Sequence, residues 1–441
     1  MKEDSTMRKI ASFLAGGLIA TSIIFAVESF AAKEVNTDAY KNLVLFGDVF
    51  ERVRAEYVTV PNETKMIQGA INGMLTSLDP HSSYLTPEET KEMYASTKGS
   101  FGGIGITVMK DKDGAKVVSS LKGTPAAKAG ILVDDIIIAV NEKSVKGEDL
   151  NAIVEKMRGK IGTSVTLTIS RQGKKDPLKF TLLRQDIKID VVSSKVKDNV
   201  GYLKLAQFSG TSHDDLEKAI RKIQKQIPSD KLKGYILDLR LNPGGLLDQA
   251  VKVSSLFLDG GEVVSTRGRD PSSNLHFDTE GFDIIKGKPL IVLINGGSAS
   301  AAEIVSGALK DHHRAIILGT RSFGKGSVQK VLPLVDNGAI RLTTALYYTP
   351  SGKSIQGKGI SPDITVIQPL PEKYKNYKVS IGESELRGHI KGQEEDGAGS
   401  GSSIYVPKDE KDDVQLLKAY NLLNGKENNP IFSQYMKQYD K

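Results

Sequence analysis

Two serines, Ser298 and Ser300, stand among glycines and alanines in INGGSASAAEIVSGALK, residues 294–310, directly after the apolar run PLIVLI. The pattern predicts a buried strand that ends in Gly296-Gly297 and passes into a helix opened by small residues. A serine at a helix N-terminus meets free N–H groups and the positive end of the helix dipole, both of which favour developing negative charge. The same position suits a plain N-cap, and on this segment alone the cap is the favoured reading. A nucleophilic serine needs a base, so the base decides.

The histidines are His81, His213, His276, His312, His313 and His389. His213 falls at a predicted helix start and His312-His313 at a charged helix end, where histidines are usually solvated. None carries the acidic pattern of a metal-binding helix, so a metallohydrolase has no support. A Ser-His-Asp triad stays open, because its partners need not be close in sequence. The other candidate base is Lys325 in TRSFGKGSVQK, between two glycines and at the edge of an apolar strand. A lysine in an apolar pocket has a lowered pKa, since desolvation penalises its charged form, and it can then accept a serine proton. Gln329, four residues on, can orient the amine without adding charge. In DLRLNPGGLLDQA, residues 238–250, a strand ends in Pro-Gly-Gly at a helix start. Its N–H groups suit an oxyanion hole, and its composition equally suits a tight turn.

These residues need a scaffold. From residue 199 onward, apolar strands alternate with helices such as the one carrying Leu216, Ile220, Ile223 and Ile227 on one face, which argues for an α/β core. Residues 99–186 read as a compact β-rich module opened by GSFGGIGITVMK. Within it Leu150, Ile153, Val154 and Met157 share a helix face that ends at Arg158-Gly159. Residues 36–78 carry helical spacing, with Leu43, Phe46, Phe50, Val53 and Tyr57 followed by Ile67, Ile71, Met74 and Leu78. Pro80 forbids continuation. Two such helices make a poor core alone and are expected to pack on something else or on a second copy. GQEEDGAGSGSS, 392–403, is a flexible linker or loop.

Composition narrows the class. The chain has 441 residues, 39% hydrophobic and 26% charged, which is ordinary for a globular protein of two or three domains. A net charge of +7, from 60 basic and 53 acidic side chains, is a mild bias and makes no case for nucleic acid. The absence of cysteine removes thiol nucleophiles, disulfides and thiolate metal sites. At the N-terminus, MRKI precedes an uncharged stretch at residues 11–27 and a small-x-small site at Ser29-Phe30-Ala31, which reads as an export signal, either cleaved or kept as an anchor.

Taken together, LDPHSSYL, FGGIGI, ILDLRLNPGGLL, NGGSASAAEI, RSFGKGSVQ and YYTPSGKSIQGKGISPDI resemble, in order, the motifs of the carboxy-terminal processing, or tail-specific, serine proteases. The resemblance covers roughly residues 40–370 and leaves the chain beyond about 375 without a motif. It implies Ser300 as nucleophile, Lys325 as general base, Gln329 as its positioner, and oxyanion donors at Ala301 and at Gly244 or Gly245. It also implies a multidomain α/β protein: a signal or anchor at 1–31, a helical dimerisation segment at 36–98, a PDZ-like module at 99–186, a crotonase-like protease core at 187–375 and a C-terminal region at 376–441. Gly102, Gly103, Ile104, Gly105 and Ile106, with Leu150 and Val154, would hold a substrate's C-terminus, and Arg158 would link that site to the catalytic one. For Val154 a core role is about as well supported, and for Arg158 a C-capping role is the alternative.

The implied partners are proteins with exposed apolar C-termini, an activating adaptor and further copies of the chain, in the bacterial periplasm or cell envelope, with no cofactor. Two other classes stay open: an acyl thioester enzyme on the same fold and a non-catalytic PDZ scaffold.

Overall fold

A computed structural model describes residues 37–375, 382–392 and 401–438. The export segment 1–31, with its apolar stretch 11–27, and most of the 392–403 linker lie outside the described residues. The chain divides into two units between Ile71 and Asn72. In the first, Thr37–Glu56 is a helix, and a second helix, Glu63–Thr76, begins there. The first helix leaves Leu43, Leu45, Phe46 and Val49 exposed.

The second unit is built on a six-stranded sheet in the order Val192–Lys197, Val200–Leu205, Gly234–Asp238, Leu290–Ile294, Ile316–Gly319, Ile364–Thr365. The first pair is antiparallel and the remaining pairings are parallel. Side chains alternate across a strand, and the central strand Leu290–Ile294 is apolar and buried at every position because both faces of the sheet are covered. Leu290, Val292 and Ile294 point to one face, where the helices Ser212–Gln226, Leu247–Ser255 and Ala301–Asp311 pack. Ile291 and Leu293 point to the other, against Ala419, Tyr420 and Phe432 of the helices Val414–Leu423 and Pro430–Met436. The chain beyond 375, which carries no recognisable motif, thus supplies the second covering layer.

That layer is pinned by a buried ionic cluster. Arg240, 2% exposed, donates to Asp238 at 2.7 Å and to both oxygens of Asp413 at 2.8 Å. Burial alone would raise the Asp238 pKa, but the Arg240 charge and hydrogen bonds outweigh it and hold the carboxyl below its usual range.

A five-stranded antiparallel sheet lies in the same unit, with Ala339–Tyr348 central. It pairs with Ser327–Pro333 along one edge, and with Ser83–Leu85 and Glu262–Gly268 besides. The β-rich module forms its own sheet, Ile106–Asp111, Gly114–Ser120, Ile136–Val140, Ser164–Ser170 and Leu178–Leu183 in order, with Ile106–Asp111 at the edge. The helix Leu150–Met157 packs on it through Ile153 and Met157.

Candidate active site

The strand Leu290–Ile294 delivers the two serines to the start of the helix Ala301–Asp311. Their environments differ sharply. Ser298 is fully buried, and its hydroxyl donates to the Leu239 carbonyl (2.8 Å) and accepts from the Asn295 N–H (3.0 Å). It is committed to holding two strand ends together. Ser300 is partly exposed and is the N-cap residue, at φ 54° and ψ −115°. A non-glycine residue at such angles costs about 1–3 kcal/mol and persists only where its surroundings enforce it. The enforcing groups are evident: the Ser300 N–H donates to Glu303 Oε2 at 2.8 Å, and Gly244 packs against the turn so closely that a Cβ there would lie 2.8 Å from Ser300 Cβ.

Glu303 is fully buried and joins this turn to the loop of Lys325. The oxygen that accepts the Ser300 N–H also accepts the Lys325 N–H at 2.9 Å. The other accepts the Gly324 N–H at 2.7 Å and the Ser322 hydroxyl at 2.5 Å. Burial pushes the Glu303 pKa up to about 7, against the pull of these four hydrogen bonds.

The Lys325 side chain lies on the strand Ser327–Pro333. Its Nζ donates to Gln329 Oε1 at 2.5 Å and to the Ser327 carbonyl at 3.2 Å. Burial lowers its pKa to about 8, with the nearby Glu383 and Glu303 carboxylates pulling the other way. A neutral amine whose two hydrogens are held by Gln329 and Ser327 has its lone pair left for an incoming proton.

On the neighbouring turn, Gly244 has φ +97° and its N–H donates to Asn242 Oδ1 at 2.9 Å. A Cβ at Gly244 would also fall 2.9 Å from the Ala301 amide nitrogen. The turn therefore touches the first turn of the serine helix, whose opening amide has no partner within the helix.

Four of the histidines have partners of their own. His81 faces Glu383 at 2.8 Å, His213 pairs with Asp214, His276 with Glu262, and His312 Nε2 sits 2.7 Å from the Glu262 carbonyl.

In the β-rich module, Gly102 and Gly103 pair with Asp186 and Gln185 in a separate two-stranded ladder. The Gly102 carbonyl accepts the Gly159 N–H at 3.1 Å, and a Cβ at Gly102 would sit 2.1 Å from the Gly159 oxygen. Gly105 turns the chain at φ +77° into the edge strand. Ile106, Leu150 and Val154 are partly buried against the module core. Ile104, expected in a pocket, lies between the strands Ser100–Gly103 and Ile106–Asp111, and its side chain is 3% exposed and packs in the module core. Arg158 stands over the Phe101 ring, 4.7 Å from its centre, and lies 3.5 Å from Glu155.

Sequence reasoning missed three buried carboxylates around Lys325. Glu303 was within reach, since Ser-x-x-Glu is a capping-box spacing. Asp79 reaches the site through Thr343, 264 residues away, and Glu383 through its N–H bond to the Phe323 carbonyl and its carboxylate bond to Gln356.

Comparison with known proteins matches residues 199–366 to peptidase family S41, residues 116–171 to a PDZ domain, and residues 22–90 to the activating protease CtpB N-terminal domain. A carboxy-terminal-processing protease of Bartonella bacilliformis is 57% identical over 420 residues, spanning 95% of this chain and 96% of that protein. A "Probable CtpA-like serine protease" of Staphylococcus aureus strain MRSA252 is 37% identical, over 83% of this chain and 74% of that one. A solved photosystem II D1 C-terminal processing protease is 29% identical, covering 75% of this chain and 95% of its own, with a TM-score of 0.43.

Proposed function

The chain belongs to the carboxy-terminal-processing serine proteases of peptidase family S41, and from that premise we propose that Ser300 is its nucleophile, Lys325 its general base and Gln329 the residue that orients the base. Ser300 Oγ attacks a peptide carbonyl while Lys325 Nζ takes the hydroxyl proton. The tetrahedral intermediate collapses, Lys325 returns the proton to the leaving amine, and water hydrolyses the acyl-enzyme with Lys325 again as base. The observation that carries this reading is the shared Glu303 oxygen, which accepts the backbone N–H of both Ser300 (2.8 Å) and Lys325 (2.9 Å) and so ties nucleophile and base to one fixed point.

The oxyanion donors are the N–H of Ala301 and the N–H of Gly245. Gly244 is the weaker choice because its own N–H is given to Asn242. Such donors are each worth about 3–4 kcal/mol in other serine proteases.

Substrate capture falls to the PDZ domain. A substrate's C-terminal strand adds to the open edge Ile106–Asp111, its carboxylate meets the loop of Gly102, Gly103 and Gly105, and its last side chain lies between Ile106, Leu150 and Val154. Arg158, stacked on Phe101 beside that loop, connects capture to the active site. The core is of the crotonase-like type, and domain limits follow the sequence motifs at 36–98, 99–186, 187–375 and 376–441. The exposed apolar face of Thr37–Glu56 pairs with a second copy, which light scattering would register as twice the chain mass. Residues 1–31 direct export to the periplasm or cell envelope, with 11–27 as cleaved signal or anchor.

Cleavage of an unfolded protein with an apolar C-terminus tests the assignment. Ser300→Ala and Lys325→Ala are each expected to abolish it without unfolding the chain. Cleavage that persists in Ser300→Ala contradicts it.

A further inference from the structure

We propose that Asp79 and Thr343 form a positioning relay that fixes which end of the Gln329 amide faces the base. This rests on the Ser300–Lys325 reading and adds two residues to it. Gln329 and Thr343 are directly opposed in the ladder between Ser327–Pro333 and Ala339–Tyr348. Across the central strand's other edge, Ser83 pairs with Arg341, which brings the LDPHSSYL stretch beside Thr343.

The polarity of the chain of hydrogen bonds follows from its far end. Asp79 is 3% exposed, and its Oδ1 accepts the N–H groups of His81 (2.8 Å) and Ser82 (2.9 Å) and the Thr343 hydroxyl (3.0 Å). Its Oδ2 accepts the Ser82 hydroxyl at 2.6 Å. Burial would raise its pKa, but these bonds prevail and keep it below the usual carboxylate value. An ionised carboxylate only accepts, so Thr343 must donate to Asp79. The Thr343 oxygen is then left as an acceptor, and Gln329 Nε2 donates to it at 3.2 Å and to Ser327 Oγ at 3.0 Å. With its nitrogen end committed to two oxygens, the amide presents Oε1 to Lys325 Nζ. A reversed amide would set N–H against N–H at Lys325, disfavouring the protonated base and misdirecting its lone pair. The relay thus acts through Gln329 and touches no substrate.

Full-length chain and an unfolded reporter with an apolar C-terminus provide the test. The variants are Thr343→Val, Thr343→Ser and Asp79→Asn, each alone and combined with Gln329→Ala. Thr343→Val and Asp79→Asn are expected to lower kcat about tenfold with KM unchanged, and to move the pH midpoint of kcat below that of the wild type, because the ammonium loses its acceptor. Thr343→Ser, which keeps the hydroxyl, restores both. Added to Gln329→Ala, neither Thr343→Val nor Asp79→Asn costs further rate, since the group they orient is gone. Asp79→Asn carries the test if Thr343→Val fails to fold, and the reverse. Losses that multiply with Gln329→Ala, or a wild-type midpoint and rate in Thr343→Val, overturn the relay. Cleavage surviving in Ser300→Ala would instead remove the dyad on which it rests.

Discussion

Lys325, the proposed general base, is an amine taken from water that must lose its proton to serve. Its pKa falls from 10.5 to about 8 on burial, so the folded state resists its charged form. Below about pH 8 the lysine is protonated in both folded and unfolded chains and the burial penalty is fully present. As pH rises from 8 towards 10.5, only the unfolded chain still binds the proton, and the penalty fades. Lys325→Met is therefore expected to raise the stability of the inactive protein by about 2–3 kcal/mol at pH 6–7, with the gain shrinking above pH 8 in urea titrations. A gain that grows with pH contradicts the burial argument. Ser300, Lys325 and Gln329 could be nominated from the sequence because each sits in a short motif. Their supports were less legible: Glu303 lies three residues from Ser300, whereas Asp79 meets Thr343 across 264 positions, which no periodicity records.

At the scale of elements, alternation and helical spacing identified the α/β core, because strands such as Leu290–Ile294 are apolar throughout and their covering helices amphipathic. The PDZ domain was legible through its glycine-rich opening and the helix that ends at Arg158. The burial of Ile104 in the module core was not legible, because an apolar residue beside a loop reads the same whether it faces a groove or the core. The proposed groove depends on the edge strand Ile106–Asp111, which among the described residues pairs with one neighbour. Val154→Asp puts a charge where an apolar C-terminal side chain is to rest, and the exposed half of the site keeps the helix folded. It is expected to raise KM about tenfold for substrates with apolar C-termini while leaving kcat within twofold, checked by steady-state cleavage. An equal fall in kcat at unchanged KM would place Val154 outside substrate capture.

The whole molecule depends on its last residues more than their sequence suggests. The helices Val414–Leu423 and Pro430–Met436 cover one face of the protease sheet, and Asp413 closes the buried cluster around Arg240, the residue that leads into the Pro-Gly-Gly turn. Those helices lack a chemical motif, and their burial arises from contacts with strands distant in the sequence, such as Leu290–Ile294 and Ile316–Gly319, so the sequence alone left them without a role. Asp413→Ala strips the buried Arg240 of one carboxylate and is expected to cost about 3 kcal/mol in urea denaturation. A cost below about 0.5 kcal/mol would mean that the tail is not part of the cooperative fold.

The dyad is tested most directly by the pH dependence of Ser300 acylation, followed in a single turnover. The account predicts a rate that rises with loss of one proton at a midpoint near pH 8, set by burial of Lys325, and that vanishes in Lys325→Ala. A midpoint near 6.5, the ordinary histidine value, retained in Lys325→Ala, would contradict it.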